Sequence, residues 1–235
     1  MSPDRALVLV PGLLCDATIW RPQVEALGET CDVTVASSCG HDTIEALAAR
    51  VLDCAPARFA LAGHSLGGRI ALEVVRQAPE RVERLALLDT GVHPAAPAER
   101  DARYALVELA ELKGMAALAE VWLPPMLHPD RRHDGEIVVP LTAMVERSTP
   151  ASFRQQQDCL LARPDATTVL ASITCPTLVL VGREDEWSPL AQHEAIAVQV
   201  PGAVLHVVEQ CGHMSTVERP DGVTAALRAW LAAPA

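Results

Sequence analysis

Six short apolar runs, each stopped by turn-forming residues and parted from the next by helical spacing, limit what this chain can fold into. They lie at 6–10, 33–36, 59–62, 85–88, 177–181 and 204–208. Runs without polar alternation suit strands covered on both faces, as in a parallel sheet. Between them, Ile44, Leu47, Ala48, Val51 and Leu52 step at three and four residues behind a cap at Asp42 or Thr43. Ile70, Leu72, Val74 and Val75 mark a dense apolar helix ending before Pro79, and Val223, Leu227, Trp230 and Leu231 lie on one starting near Pro220. Strand alternating with helix means βαβ units. The expected fold is α/β, with a mainly parallel sheet of about six strands flanked by helices.

One stretch breaks this rhythm. From 93 to 168 no strand pattern appears, and helical pieces at 100–113, 115–122, 137–147 and 152–161 are punctuated by prolines. A helical insertion between two strands of a parallel sheet reads as a lid over the carboxyl edge. The other reading is that these helices cover one sheet face. With no repeat, linker or second-domain boundary, residues 1–235 read as a single domain carrying the lid at 93–168.

Composition excludes several classes. A net charge of −11 disfavours nucleic acid and anionic membranes as partners and leaves small molecules as the expected ones. The seven cysteines are scattered and form no CxxC pair, so they read as reduced, buried thiols of a cytoplasmic protein. The stretch Gly12-Leu13-Leu14-Cys15 lacks the small residue a lipoprotein cleavage site needs, and the apolar run before it is too short for a signal core or membrane span. The sequence leaves oligomeric state open.

The strongest local signal is Gly63-His64-Ser65-Leu66-Gly67-Gly68, between a strand pattern and a helix pattern. A serine on a sharp strand-to-helix turn needs small neighbours two residues away on each side, and Gly63 and Gly67 supply them. Its hydroxyl needs a base. Of eight histidines, only His213, in Cys211-Gly212-His213-Met214-Ser215, lies on a loop after the last strand run. His64 reads as a packing residue behind the serine; His41, His93, His128, His133, His193 and His206 read as surface or lid residues. No histidine pair has metal-ligand spacing. The base in turn needs an acceptor to fix its tautomer. Asp185, mid-turn after the run at 177–181, is the first choice, and Asp89, after the run at 85–88, is the rival. Glu184 and Glu186 read as solvated neighbours.

Acyl transfer also needs two main-chain N–H groups facing the carbonyl oxygen. Leu66 follows the serine and supplies one; Leu13, on the loop after the first strand, supplies the other. Leu14, Trp122, Met126, Trp187 and Met214 are the candidate pocket residues, all on site loops or the lid. Arg131, Arg132 and Arg154 read as solvated surface rather than as anchors for an anionic substrate.

Taken together, Val8-Leu9-Val10-Pro11-Gly12, the turn at 63–68, Gly182…Asp185…Pro189 and Gly212-His213 resemble the α/β-hydrolase superfamily, in particular its small bacterial esterase, lactonase and methylesterase members. The similarity runs from about residue 6 to 232. It implies a helix-covered sheet, a helical cap, no cofactor and the chain order Ser, Asp, His. Pro11-Gly12 stands where the family often has His-Gly, and the chain opens at what would be the family's third strand, so a reduced, all-parallel sheet of six strands is expected. The leading expectation is hydrolysis of a small carboxylic ester, lactone or thioester through an acyl-enzyme. The alternatives are a C–C hydrolase or lyase on the same triad, and a ligand-binding member with negligible turnover.

Overall fold

The computed structural model describes residues 5–40 and 42–234, so the reading of His41 lies outside the described residues. In chain order the elements are β1 (Ala6–Val10), α1 (Arg21–Leu27), β2 (Asp32–Val35), α2 (Ile44–Cys54), β3 (Phe59–His64), α3 (Leu66–Gln77), β4 (Val82–Leu88), α4 (Glu99–Trp122), α5 (Gly135–Glu146), α6 (Pro150–Leu161), α7 (Thr167–Leu170), β5 (Thr177–Gly182), α8 (Leu190–Gln199), β6 (Val204–Val208), α9 (Ser215–Glu218) and α10 (Pro220–Ala232). The six strands form one sheet in the order β2-β1-β3-β4-β5-β6, and every neighbouring pair is parallel.

The apolar runs occupy the interior. β3 and β5 are buried along their whole length, because helices cover both faces of the central strands. The outer strands β2 and β6 alternate instead, with one face open, which leaves His206 exposed within β6. The cap of α2 is Thr43, whose side chain accepts the Ala46 N–H.

Three differences from the sequence reading have local causes. The pieces expected at 100–113 and 115–122 form one element, α4, bent where Gly114 adopts φ 86; the glycine supplies the kink. The short α1 was not foreseen, since seven residues opening on Arg21-Pro22 are too few to show a helical period. Cys54 is exposed at the end of α2 while Cys15, Cys31, Cys159 and Cys211 are buried, so the buried-thiol reading holds for only part of the set. No helix among the described residues is long and apolar enough to cross a membrane.

Candidate active site

Ser65 links β3 to α3 with φ 55 and ψ −116, a left-handed conformation that costs a non-glycine residue about 1–3 kcal/mol. The surrounding main chain leaves no room for side chains beside it. A Cβ on Gly63 would collide with the Gly67 carbonyl, and one on Gly67 with the main chain of Val10 and Pro11. Gly67→Ala is therefore expected to destabilise by about 3 kcal/mol, on the order of 10 °C in Tm for a chain of this length. A thermal melt checks it; an unchanged Tm would mean that α3 has space to shift away from β1.

His213 lies on the connection from β6 to α9, and Asp185 on the turn after β5. The His213 Nε2 stands 2.9 Å from Ser65 Oγ, and its Nδ1 stands 2.8 Å from Asp185 Oδ2. A carboxylate only accepts, so Nδ1 carries the proton and Nε2 is left free to accept the serine hydroxyl. The other Asp185 oxygen accepts the N–H groups of Trp187 at 2.8 Å and Ser188 at 2.9 Å. Asp185 and His213 are 3% and 5% exposed.

Charge placement follows from this geometry. Burial opposes ionisation of Asp185, but the His213 ring and the two N–H donors outweigh it and hold the carboxyl below its ordinary value. Burial alone would likewise depress His213; the Asp185 carboxylate, helped by Asp89 and Glu218, holds it above the usual imidazole value. Burial and the nearby His213 push His64 down to about 3, so it is neutral. Its Nε2 donates to the His213 carbonyl at 2.8 Å.

The rival acid Asp89 is fully buried. It accepts the Gly182 N–H at 2.9 Å and the Ser215 hydroxyl, and it lies 3.7 Å from His64 Nε2. Burial, followed by the charge of Asp185, raises its pKa. The carboxylate bonded to His213 is that of Asp185.

The loop after β1 presses against the serine turn: a Cβ on Gly12 would sit 3.1 Å from Ser65 Cβ. Ser38 Oγ and Cys15 N both bind the Gly12 carbonyl at 3.2 Å. No acceptor among the described residues takes the N–H of Leu13 or of Leu66, which is the state two oxyanion donors require.

A pocket of about 70 Å³ opens at Ser65, and Leu13, Trp122, Met126, Trp187 and Met214 line it. Leu14 does not, which corrects the sequence reading. It has a φ of 58, its side chain is buried, and its N–H is bound to Gln156 Oε1 at 3.1 Å. His193 is a second correction: it is fully buried, and its Nε2 accepts the Thr90 N–H at 2.9 Å. His93 and His133 are exposed. Glu186 is exposed, whereas Glu184 accepts the Cys211 N–H at 2.9 Å and so is more than a solvated neighbour. Arg154 pairs with Glu111 at the surface.

Cys15, Arg103, Leu160 and Ser188 also line the pocket and were missed. Arg103 pairs with Glu99 and with Gln157 Oε1 at 2.8 Å. In sequence, Arg103 is one more charged residue of the helical piece at 100–113, so nothing marked that arginine for the site. Among the described residues, no three His, Cys, Asp or Glu side chains stand together as a metal site needs.

Residues 7–226 match the family model described as "Alpha/beta hydrolase family". A thermophilic esterase from Thermogutta terrifontis superposes with a TM-score of 0.88 at 29% identity, covering 98% of this chain and 90% of that one. The enol-lactonase from Burkholderia xenovorans LB400 gives 0.88 at 25%, covering 97% and 92%. Among sequences, the pimeloyl-[acyl-carrier protein] methyl ester esterase of Nitrosomonas europaea is 24% identical over 94% of this chain and 92% of that protein. A strand-to-helix serine in reach of a histidine and an aspartate, on a six-stranded parallel sheet, together with a family match over nearly the whole length, leads to one assignment: this chain is a hydrolase belonging to the alpha/beta hydrolase family.

Proposed function

We propose that the protein hydrolyses small carboxylic esters, lactones and thioesters included, through an acyl-enzyme at Ser65. The observation that carries this reading is the unbroken line from Ser65 Oγ to His213 Nε2 at 2.9 Å and from His213 Nδ1 to Asp185 Oδ2 at 2.8 Å. The ester class rests on similarity to an esterase, an enol-lactonase and a methyl ester esterase, and on a pocket at Ser65 to which Trp122, Met126 and Met214 contribute apolar walls.

In this mechanism His213 takes the serine proton as Oγ attacks the carbonyl carbon. The N–H groups of Leu13 and Leu66 stabilise the oxyanion, each by roughly 3 kcal/mol. His213 then protonates the departing alcohol, activates water and returns the proton to Ser65 as the acyl group leaves. Asp185 holds the tautomer and stabilises the imidazolium. The segment 93–168 acts as a lid: its residues Arg103, Trp122, Met126 and Leu160 form one wall of the pocket. The cytoplasm is the setting that suits seven unpaired thiols.

The test is a panel of activated esters and lactones run beside a fluorophosphonate. Turnover with covalent labelling at Ser65 is the expected result. Absence of both would remove the reading, and labelling without ester turnover would favour the C–C hydrolase or lyase.

The pH dependence has a definite sign. His213 must be neutral to accept a proton, and its pKa is raised above the ordinary value by Asp185 despite burial. kcat/KM should therefore be full on the alkaline side and fall as pH drops through a midpoint above the reference of about 6.5. A midpoint well below that reference would contradict the assigned base.

A further inference from the structure

The hydrogen bonds around the β6–α9 connection single out a carboxylate that takes no step in the mechanism above, although its charge helps to raise the His213 pKa. Glu218, on α9, is 1% exposed. Its Oε1 accepts the N–H of Gly212 at 3.0 Å and of Met214 at 3.3 Å, the two residues flanking His213. Its Oε2 accepts the N–H of His128 at 2.8 Å, from the inserted segment 93–168. No arginine or lysine pairs with it among the described residues. A buried carboxylate without a cation costs stability unless hydrogen bonds satisfy it, so packing alone does not account for it. What two fixed oxygens supply is one acceptor for three main-chain donors on two separate parts of the chain.

Further contacts act in the same place. The N–H of His213 itself donates to the Met126 carbonyl at 2.8 Å, and its carbonyl accepts from His64 at 2.8 Å. Gly212 is pressed so closely onto that segment that a Cβ would lie 2.7 Å from His128 N and 2.8 Å from Met126 O. Met126 meanwhile lines the pocket beside Ser65. The main chain on both sides of the imidazole is thus tied to the wall a substrate would touch.

We infer that Glu218 is a positioning residue, which clasps the His213 loop to the pocket-lining segment 126–128 and so keeps the imidazole aligned on Ser65. This rests on the reading of His213 as the base. Two substitutions separate the halves of the clasp. In Glu218→Gln, the amide oxygen retains the Gly212 and Met214 donors, while the amide nitrogen faces the His128 N–H and cuts the link to the segment. Glu218→Ala removes all three bonds.

The measurement is the rate of fluorophosphonate labelling of Ser65 per titrated site, well below Tm, beside kcat and KM for an activated ester. The rate should fall on the order of tenfold in Glu218→Gln, as for the loss of one hydrogen bond to a charged acceptor. It should fall about 100-fold in Glu218→Ala, as expected for a base displaced by about 1 Å, with the loss in kcat and KM little changed. Normalising to titrated sites removes any unfolded fraction, and if the alanine variant does not fold, the glutamine variant decides. Labelling of all proteins at the unaltered rate, with only Tm lowered, would overturn the clasp and leave the proposed function standing. Failure of the unaltered protein to label would overturn both.

Discussion

Ser65→Ala should leave a folded protein whose ester turnover is lower by on the order of 10⁶, the loss seen when the nucleophile of such a triad is removed. The two halves of that expectation have separate physical grounds. Alanine keeps the Cβ, so the strained backbone at φ 55 is no more strained than before, and the glycines on either side still pass one another. The Oγ has one side-chain partner, His213 Nε2 at 2.9 Å, and a lost bond of that kind costs about 1 kcal/mol. His213 keeps Asp185 and the His64 bond to its carbonyl, so the ring stays in place. What disappears is the Oγ proposed to form the acyl bond. An assay with an activated ester and a thermal melt on the same sample test both halves. Retained turnover in a folded variant would take the nucleophile's role from Ser65.

The Asp185→Asn variant should lose roughly 10⁴ in kcat, by the tautomer argument established for serine proteases. Here the geometry dictates how the amide must sit. Oδ1 already accepts from Trp187 N and Ser188 N, so the asparagine oxygen stays there and the NH₂ faces His213. That NH₂ donates, which forces Nδ1 to accept and puts the ring proton on Nε2, aimed at Ser65. The base then has no lone pair for the hydroxyl. Asp89→Asn is the matched control: its carboxylate serves Gly182 N and the Ser215 hydroxyl, so its loss should be felt in stability first. If Asp89→Asn is the variant that abolishes turnover while Asp185→Asn remains active, the acid has been assigned to the wrong strand end.

These predictions rest on residues that were readable to different degrees. The serine turn was legible because its requirement is local: strand, glycine, serine and glycine lie within a few residues, and the steric need is met inside that stretch. The strands were legible for a similar reason, since burial on both faces leaves an uninterrupted apolar run. Leu13 and Leu66 could be proposed as donors because main-chain donors depend on the turn and hardly on the side chain. Leu14 could not be judged in the same way, since its backbone takes a positive φ and its N–H is held by Gln156, more than a hundred residues along the chain.

The sequence alone determined the α/β class, the approximate strand boundaries, the serine turn and the loops that carry the candidate base and acid, because each follows from short-range sterics and burial. The choice of the carboxylate that meets His213, the inward seat of His193, the place of Arg103 in the pocket wall and the grip of Glu218 on the histidine loop were decided by tertiary structure. Each of these joins groups brought together by the order of strands in the sheet or by an element packed against it. Hydrogen bonds act over about 3 Å, and which groups come that close is set by packing across the whole chain.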